Sequence, residues 1–146
     1  MSLSTEATLG LNGLLYDNSN WANIGDATGL RGATGAGNFY MSLHTASPGV
    51  GGDQTTNEIA YTGYARIAIP RDGSVIDGTV NPVALLADVV FGLMTAGAGG
   101  TITHVAIGTA SSGAGHLVQI FTFTPNILVT NGIRPRVLAG NMSTTS

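Results

Sequence analysis

A chain of 146 residues with a formal net charge of −3 is long enough for one domain with its own core. Only 9% of its residues are charged, against about 25% in an ordinary soluble domain, so Thr, Ser, Asn and Gly must cover most of the surface, which suits permanent contact with other protein. The lack of cysteine and lysine excludes thiol and Schiff-base nucleophiles, disulfides, thiolate-held metals and the P-loop lysine, and five scattered arginines without a basic run exclude an electrostatic footprint for nucleic acid.

Leu3, Ala7, Leu11, Leu14 and Leu15 recur at helical spacing, with Ser4 placed to cap and Glu6 in the first turn, which predicts an amphipathic helix over 4–16. Gly10 and Gly13 each cost about 1 kcal/mol against Ala in a helix interior, so this helix needs something to dock on. The N-terminal segment lacks a basic n-region with a long apolar run, and no stretch reaches the roughly 18 apolar residues of a membrane span. The chain therefore reads as soluble, without a Sec signal or a membrane partner. Residues 25–37 are Gly-rich and read as a linker, which divides the chain into an N-terminal helix or arm with its linker, 1–37, and a β domain, 38–146. The apolar stripe then reaches either a neighbouring subunit or an open end of its own domain, and Leu11, Leu14, Leu15 and Trp21 are candidate assembly contacts.

Beyond the linker the period becomes two. Phe39, Met41 and Leu43 alternate with Tyr40, Ser42 and His44, a half-buried strand over 39–45. A loop follows over 46–57, then a strand over 60–69 alternating Tyr61, Gly63, Ala65, Ile67 and Ile69 with Thr62, Tyr64, Arg66 and Ala68, and a turn at Pro70–Gly73. The β-branched residues of 83–91 favour a strand there, and 101–109 and 116–124 alternate clearly on either side of TASSGAG. Asn131-Gly132 between Ile127–Thr130 and Ile133 onward is a hairpin signal, with Pro135 putting the last strand on an edge. Short strands, frequent turns and one helix predict an all-β antiparallel two-sheet sandwich, jelly-roll-like, with one short N-terminal helix or arm.

Chemistry is sparse. No Gly-x-Ser-x-Gly elbow occurs around Ser111-Ser112, and Ala114-Gly115 stand where a P-loop needs Lys and Ser/Thr. His44, His104 and His116 fall on separate strands without ligand spacing, and Asp53 with Glu58 is the nearest thing to a catalytic carboxylate pair. Neither pattern reads as more than separate polar residues. Arg66, flanked by Tyr61 and Tyr64, is a residue set common at interface hot spots, and these three join the candidate assembly contacts. The expectation is a chain with no enzymatic activity, no cofactor and no metal.

Four segments, FYMSLHTASPG (39–49), NEIAYTGYARIAI (57–69), THVAIGTASSGAG (103–115) and NGIRPRVLAG (131–140), resemble small tailed-bacteriophage head cement or decoration proteins, some of which carry the looser label of tail fibre protein. The resemblance runs from Trp21 onward and departs at PRDGSVIDGTV and LLADVVFGLM. It implies a jelly-roll-like structural protein assembled in the host cytoplasm and lying on the outer surface of the capsid. Its partners would be the major capsid protein and itself, a dimer being the default and a trimer the alternative. A tail or tail-fibre component is the alternative function, and a carbohydrate-binding jelly-roll module the second alternative.

Overall fold

A computed structural model describes residues 2–22, 24, 29, 32–140 and 142–144. Residues 25–28, 30 and 31 of the expected linker lie outside them. The chain forms two compact units, Met1–Asn38 with Ile69–Ala87 and Phe39–Ala68 with Asp88–Ser146. The N-terminal segment thus shares its unit with residues 69–87, which the sequence assigns to the β domain.

In the first unit, helix α1 spans Thr5–Tyr16, and the Ser4 hydroxyl accepts the Ala7 N–H at 3.1 Å, as the capping residue predicts. Gly10 lies beneath the Trp21 indole, and a Cβ there would overlap the ring. The glycine that weakens the helix locally therefore admits its docking partner. The last turn of α1 has no basic residue of its own, and Arg71 supplies one from a distant segment. Its Nη2 and Nε donate to the carbonyls of Leu14 and Leu15 at 2.8 and 2.7 Å, and its Nη1 donates to Ala36 at 3.0 Å. A cation on the terminal carbonyls satisfies acceptors that the helix leaves open and complements its dipole. Beyond α1, the Gly73 N–H donates to Tyr16, the Gly78 N–H donates to Asp17 Oδ1, and the Tyr16 ring is buried. Strand β3 (Ile76–Asp77) pairs antiparallel with β4 (Ala84–Leu85), burying Ile76 and Leu85. Arg71→Ala is expected to cost about 1.5–3 kcal/mol, the range for hydrogen bonds to a charged group. A drop in thermal midpoint followed by far-UV circular dichroism checks it.

The second unit is built on strands paired antiparallel in the order β1 (Asn38–His44), β6 (Gly100–Gly108), β7 (Leu117–Val129) and β9 (Met142–Thr144). Strand β2 (Ile67–Pro70) carries the chain out of this unit into the first. Directly opposed residues share a face, so the register Leu43↔Val105↔Phe121 builds a buried apolar layer. The other face is not solvated as simple alternation predicts, because Ser42 and His44 are buried as well. Strand β5 (Val89–Val90) pairs with β8 (Arg136–Val137) in a separate ribbon whose inner residues, Val89 and Val137, are buried.

Among the described residues the protein is mostly β with one N-terminal helix, and the strands form one main antiparallel sheet and two small ribbons rather than the paired sheets of a jelly-roll sandwich. Three local expectations also change. The strand expected over 60–69 survives only as β2, because Gly63 at φ 102° and a Tyr64 N–H to Tyr61 carbonyl bond turn the chain first. The strand over 83–91 breaks into β4 and β5. At 131–132 a turn forms, with the Ile133 N–H on the Thr130 carbonyl, yet only Gly132 has positive φ. That is the pattern of a type II turn, which splays its flanks where a type I′ turn would pair them. The segment after the turn therefore meets β5, not β7. No helix among the described residues is long and apolar enough to cross a membrane.

Candidate functional site

The loop over 53–66 folds back on itself because its ends are tied to different partners. Asp53 Oδ1 accepts the Thr55 N–H at 2.8 Å, and hydrogen bonds from Thr55 hold this carboxyl below its usual range. Residues 57–59 then pair with the end of β1, the Thr45 N–H donating to Asn57 and the Ile59 N–H to Leu43. This places Glu58 opposite His44. The turn at Gly63 returns Tyr64 and Arg66 to the same spot.

Arg66 Nε donates to Glu58 Oε1 and its Nη2 to Glu58 Oε2, both at 2.7 Å, while the Tyr64 hydroxyl donates to Oε1 at 2.7 Å. The remaining guanidinium bonds leave the pair for the β6–β7 loop, with Nη1 on the Ala110 carbonyl at 2.9 Å and Nη2 on the Gly113 carbonyl at 2.8 Å. Gln54 grips the same loop from beneath: its N–H donates to Ala114 at 2.8 Å, and its Oε1 accepts from the Ala110 N–H at 2.9 Å. The Gln54 side chain fills the space that a Cβ at Gly108 or Gly115 would need. Arg66 is 3% exposed at its side chain and Glu58 14%. The pair and the serines Ser111 and Ser112 line a cavity of about 270 Å³.

Burial pushes the Tyr64 phenol well above its ordinary value, and the bond to Glu58 adds to that shift. The hydrogen bonds to Glu58 also hold the Arg66 guanidinium above its ordinary value. Both Glu58 oxygens thus face donors, and the constellation's work is to fix a loop. Asp53 and Glu58 do not act as a carboxylate pair, since each is bound to its own partners. Tyr61 packs against the same cluster, its ring 5.4 Å from that of Tyr64 and tilted 57° to it, with its hydroxyl donating to the Gly92 carbonyl at 2.9 Å.

Two of the three histidines meet: His44 and His104 are directly opposed across β1 and β6, whereas His116 sits at the base of the β6–β7 loop. Among the described residues no group of three or more His, Asp or Glu is placed to hold a metal ion. His44 Nδ1 bonds the Thr56 carbonyl at 2.9 Å, and Nε2 lies 2.8 Å from the Ser42 hydroxyl. The carbonyl requires an Nδ1–H, so Nε2 is free to accept from Ser42 in the neutral ring. Burial lowers the His44 pKa, opposed by the Thr56 bond and Glu58 and assisted by Arg66 and His104. A depressed histidine contributes stability that is full above its unfolded value, about 6.5, and is lost as pH falls through the lower folded value. The thermal midpoint is therefore expected to decline between pH 7 and 5, and His44→Gln to flatten that slope in a pH series of melting curves.

The seven candidate contacts fall into two groups in different units. Leu11, Leu14 and Leu15 lie on α1, Leu11 exposed and the other two half-buried, with Trp21 half-buried over Gly10. Tyr61, Tyr64 and Arg66 form the internal cluster, and Arg66 is spent on its own chain. Gln54 and Ser42 were not singled out by sequence; a lone Gln in a Thr/Gly loop and a Ser in a strand carry no local signal of burial.

None of the curated proteins matches the chain. The model of the family described as podophage GP4 fiber I protein gp80 matches residues 22–145. This overturns the reading as a head cement or decoration protein: the family that covers most of the chain is one of fibres, and the cement role and capsid surface fall with it. The tail-fibre alternative is the one the match supports. The chain belongs to the podophage GP4 fiber I protein gp80 family, and it is a bacteriophage virion structural protein of the tail fibre.

Proposed function

We propose that this protein is a non-enzymatic building module of the tail fibre that associates with copies of itself. The observation carrying this reading is the use made of Glu58, Tyr64 and Arg66. Although these residues line a cavity, the hydrogen bonds of the constellation run among its own members and to the protein's own β6–β7 loop, the use expected of an anchor and not of groups held ready for a substrate. Low charge adds support, because a surface with 9% charged residues is suited to remaining covered. Two-fold self-association is the default for identical chains. Analytical ultracentrifugation over a wide concentration range tests it: sedimentation at a multiple of the chain mass is expected, and a monomer at every concentration would contradict it.

A further inference from the structure

The β5–β8 ribbon has a buried face and an open one. Val89 and Val137 oppose each other on the buried side, so Val90 and Arg136, the next opposed pair, point outward. Continuing the register by two residues puts Asp88 and Leu138 beside them on that outward face. Val90 and Leu138 are 41% and 43% exposed. Arg136 Nη1 lies 3.8 Å from Asp88 Oδ2, and the Ala139 N–H donates to Asp88 Oδ1, which fixes the carboxylate. The four side chains thus stand at the corners of a small oblong, with unlike charges on one diagonal and apolar residues on the other.

We propose that this outward face of the β5–β8 ribbon is the contact through which one copy of the chain meets another, a proposal that rests on the self-association just described. The arrangement is self-complementary about one axis only. A two-fold axis along the Val90 to Leu138 diagonal lays Arg136 of each copy over Asp88 of the other and sets each apolar residue against its own twin. Axes along the strands or across them would put the charges onto apolar residues. The favoured axis exchanges the strand direction with the direction across the ribbon, so the two ribbons cross at close to a right angle, one of the two established modes of sheet packing. Such an isologous contact closes at two copies, and the exposed ion pair contributes specificity more than affinity.

Charge reversal tests this surface. Asp88→Arg makes the charged diagonal wholly positive and Arg136→Asp makes it wholly negative. Each variant alone is expected to dimerise at least about tenfold more weakly than the parent by sedimentation, and an equimolar mixture to recover a heterodimer. Leu138→Cys gives a second reading without changing charge: the chain has no other cysteine, and a residue on the axis is expected to form a disulfide with its own copy under mild oxidation. Parent-like dimers of both charge variants, or no cross-linking at Leu138, would overturn the surface while leaving self-association intact. A parent chain that is monomeric throughout, or that associates only when another virion protein is added, would overturn both.

Discussion

Glu58→Ala is expected to be among the most damaging single substitutions in the second unit, at about 3–5 kcal/mol, because it leaves the buried Arg66 guanidinium without its counter-charge. That is a large share of the roughly 5–15 kcal/mol that holds a domain together. Arg66→Lys should lie between the parent and the alanine variant, since an ammonium cannot reproduce the two-pronged contact with Glu58 and still reach Ala110 and Gly113. Tyr64→Phe removes a neutral donor from Glu58 and the acceptor of the Leu43 N–H, and should cost about 1–3 kcal/mol. Denaturant titration gives the ranking. Hydrogen exchange locates the cause: faster exchange at the Ala110 and Gln54 amides, both held in this loop assembly, is expected in the Glu58 and Arg66 variants. Unchanged stability on removal of Glu58 would show that the pair is not the anchor described.

Deleting residues 1–21 is expected to have an effect of similar size on the first unit. The deletion removes Tyr16 from its buried position, takes the carbonyl partners of Leu14 and Leu15 from Arg71, and strips Asp17 from the Gly78 amide. Loss of one buried aromatic alone costs about 3–5 kcal/mol. Amides in 73–86 should lose protection, most clearly Gly73 and Gly78, whose acceptors on Tyr16 and Asp17 disappear. A docking arm would behave differently, leaving the isolated protein's melting unchanged. Equal protection at Gly73 and Gly78 in the parent and truncated chains would show that α1 contributes nothing to the unit it sits in.

What could be read from the sequence follows the range of the forces. The helix was legible because its signals are local: Ser4 caps within three residues and the Leu stripe repeats every turn. Strands β6 and β7 were legible from alternation, although Pro125 made β7 look like two strands. It is accommodated because the register breaks there, Ile102 facing Ile127 and His104 facing Thr122, so no ladder bond is asked of the proline nitrogen at a regular position. Residues 60–66 alternate as a strand would, yet fold into a turn, because Arg66 answers to carbonyls 44 and 47 residues away. No local pattern announces such partners. The jelly roll failed for a related reason. Counting strands gives composition, whereas which strand pairs with which depends on turns such as Thr130–Ile133, whose one positive φ sends the chain to β5. The family was misread from segments such as 39–49 and 57–69, whose spacing reports strand and turn placement, not the part of the virion that a chain occupies; the match over residues 22–145 is what identifies the fibre family.

Immunogold labelling of intact virions with an antibody against this chain tests the central claim most directly. Label confined to fibres at the tail is the result predicted for a module of the tail fibre, and it should disappear from particles whose fibres have been sheared off. Label spread over the faces of the head, and retained after shearing, would contradict it.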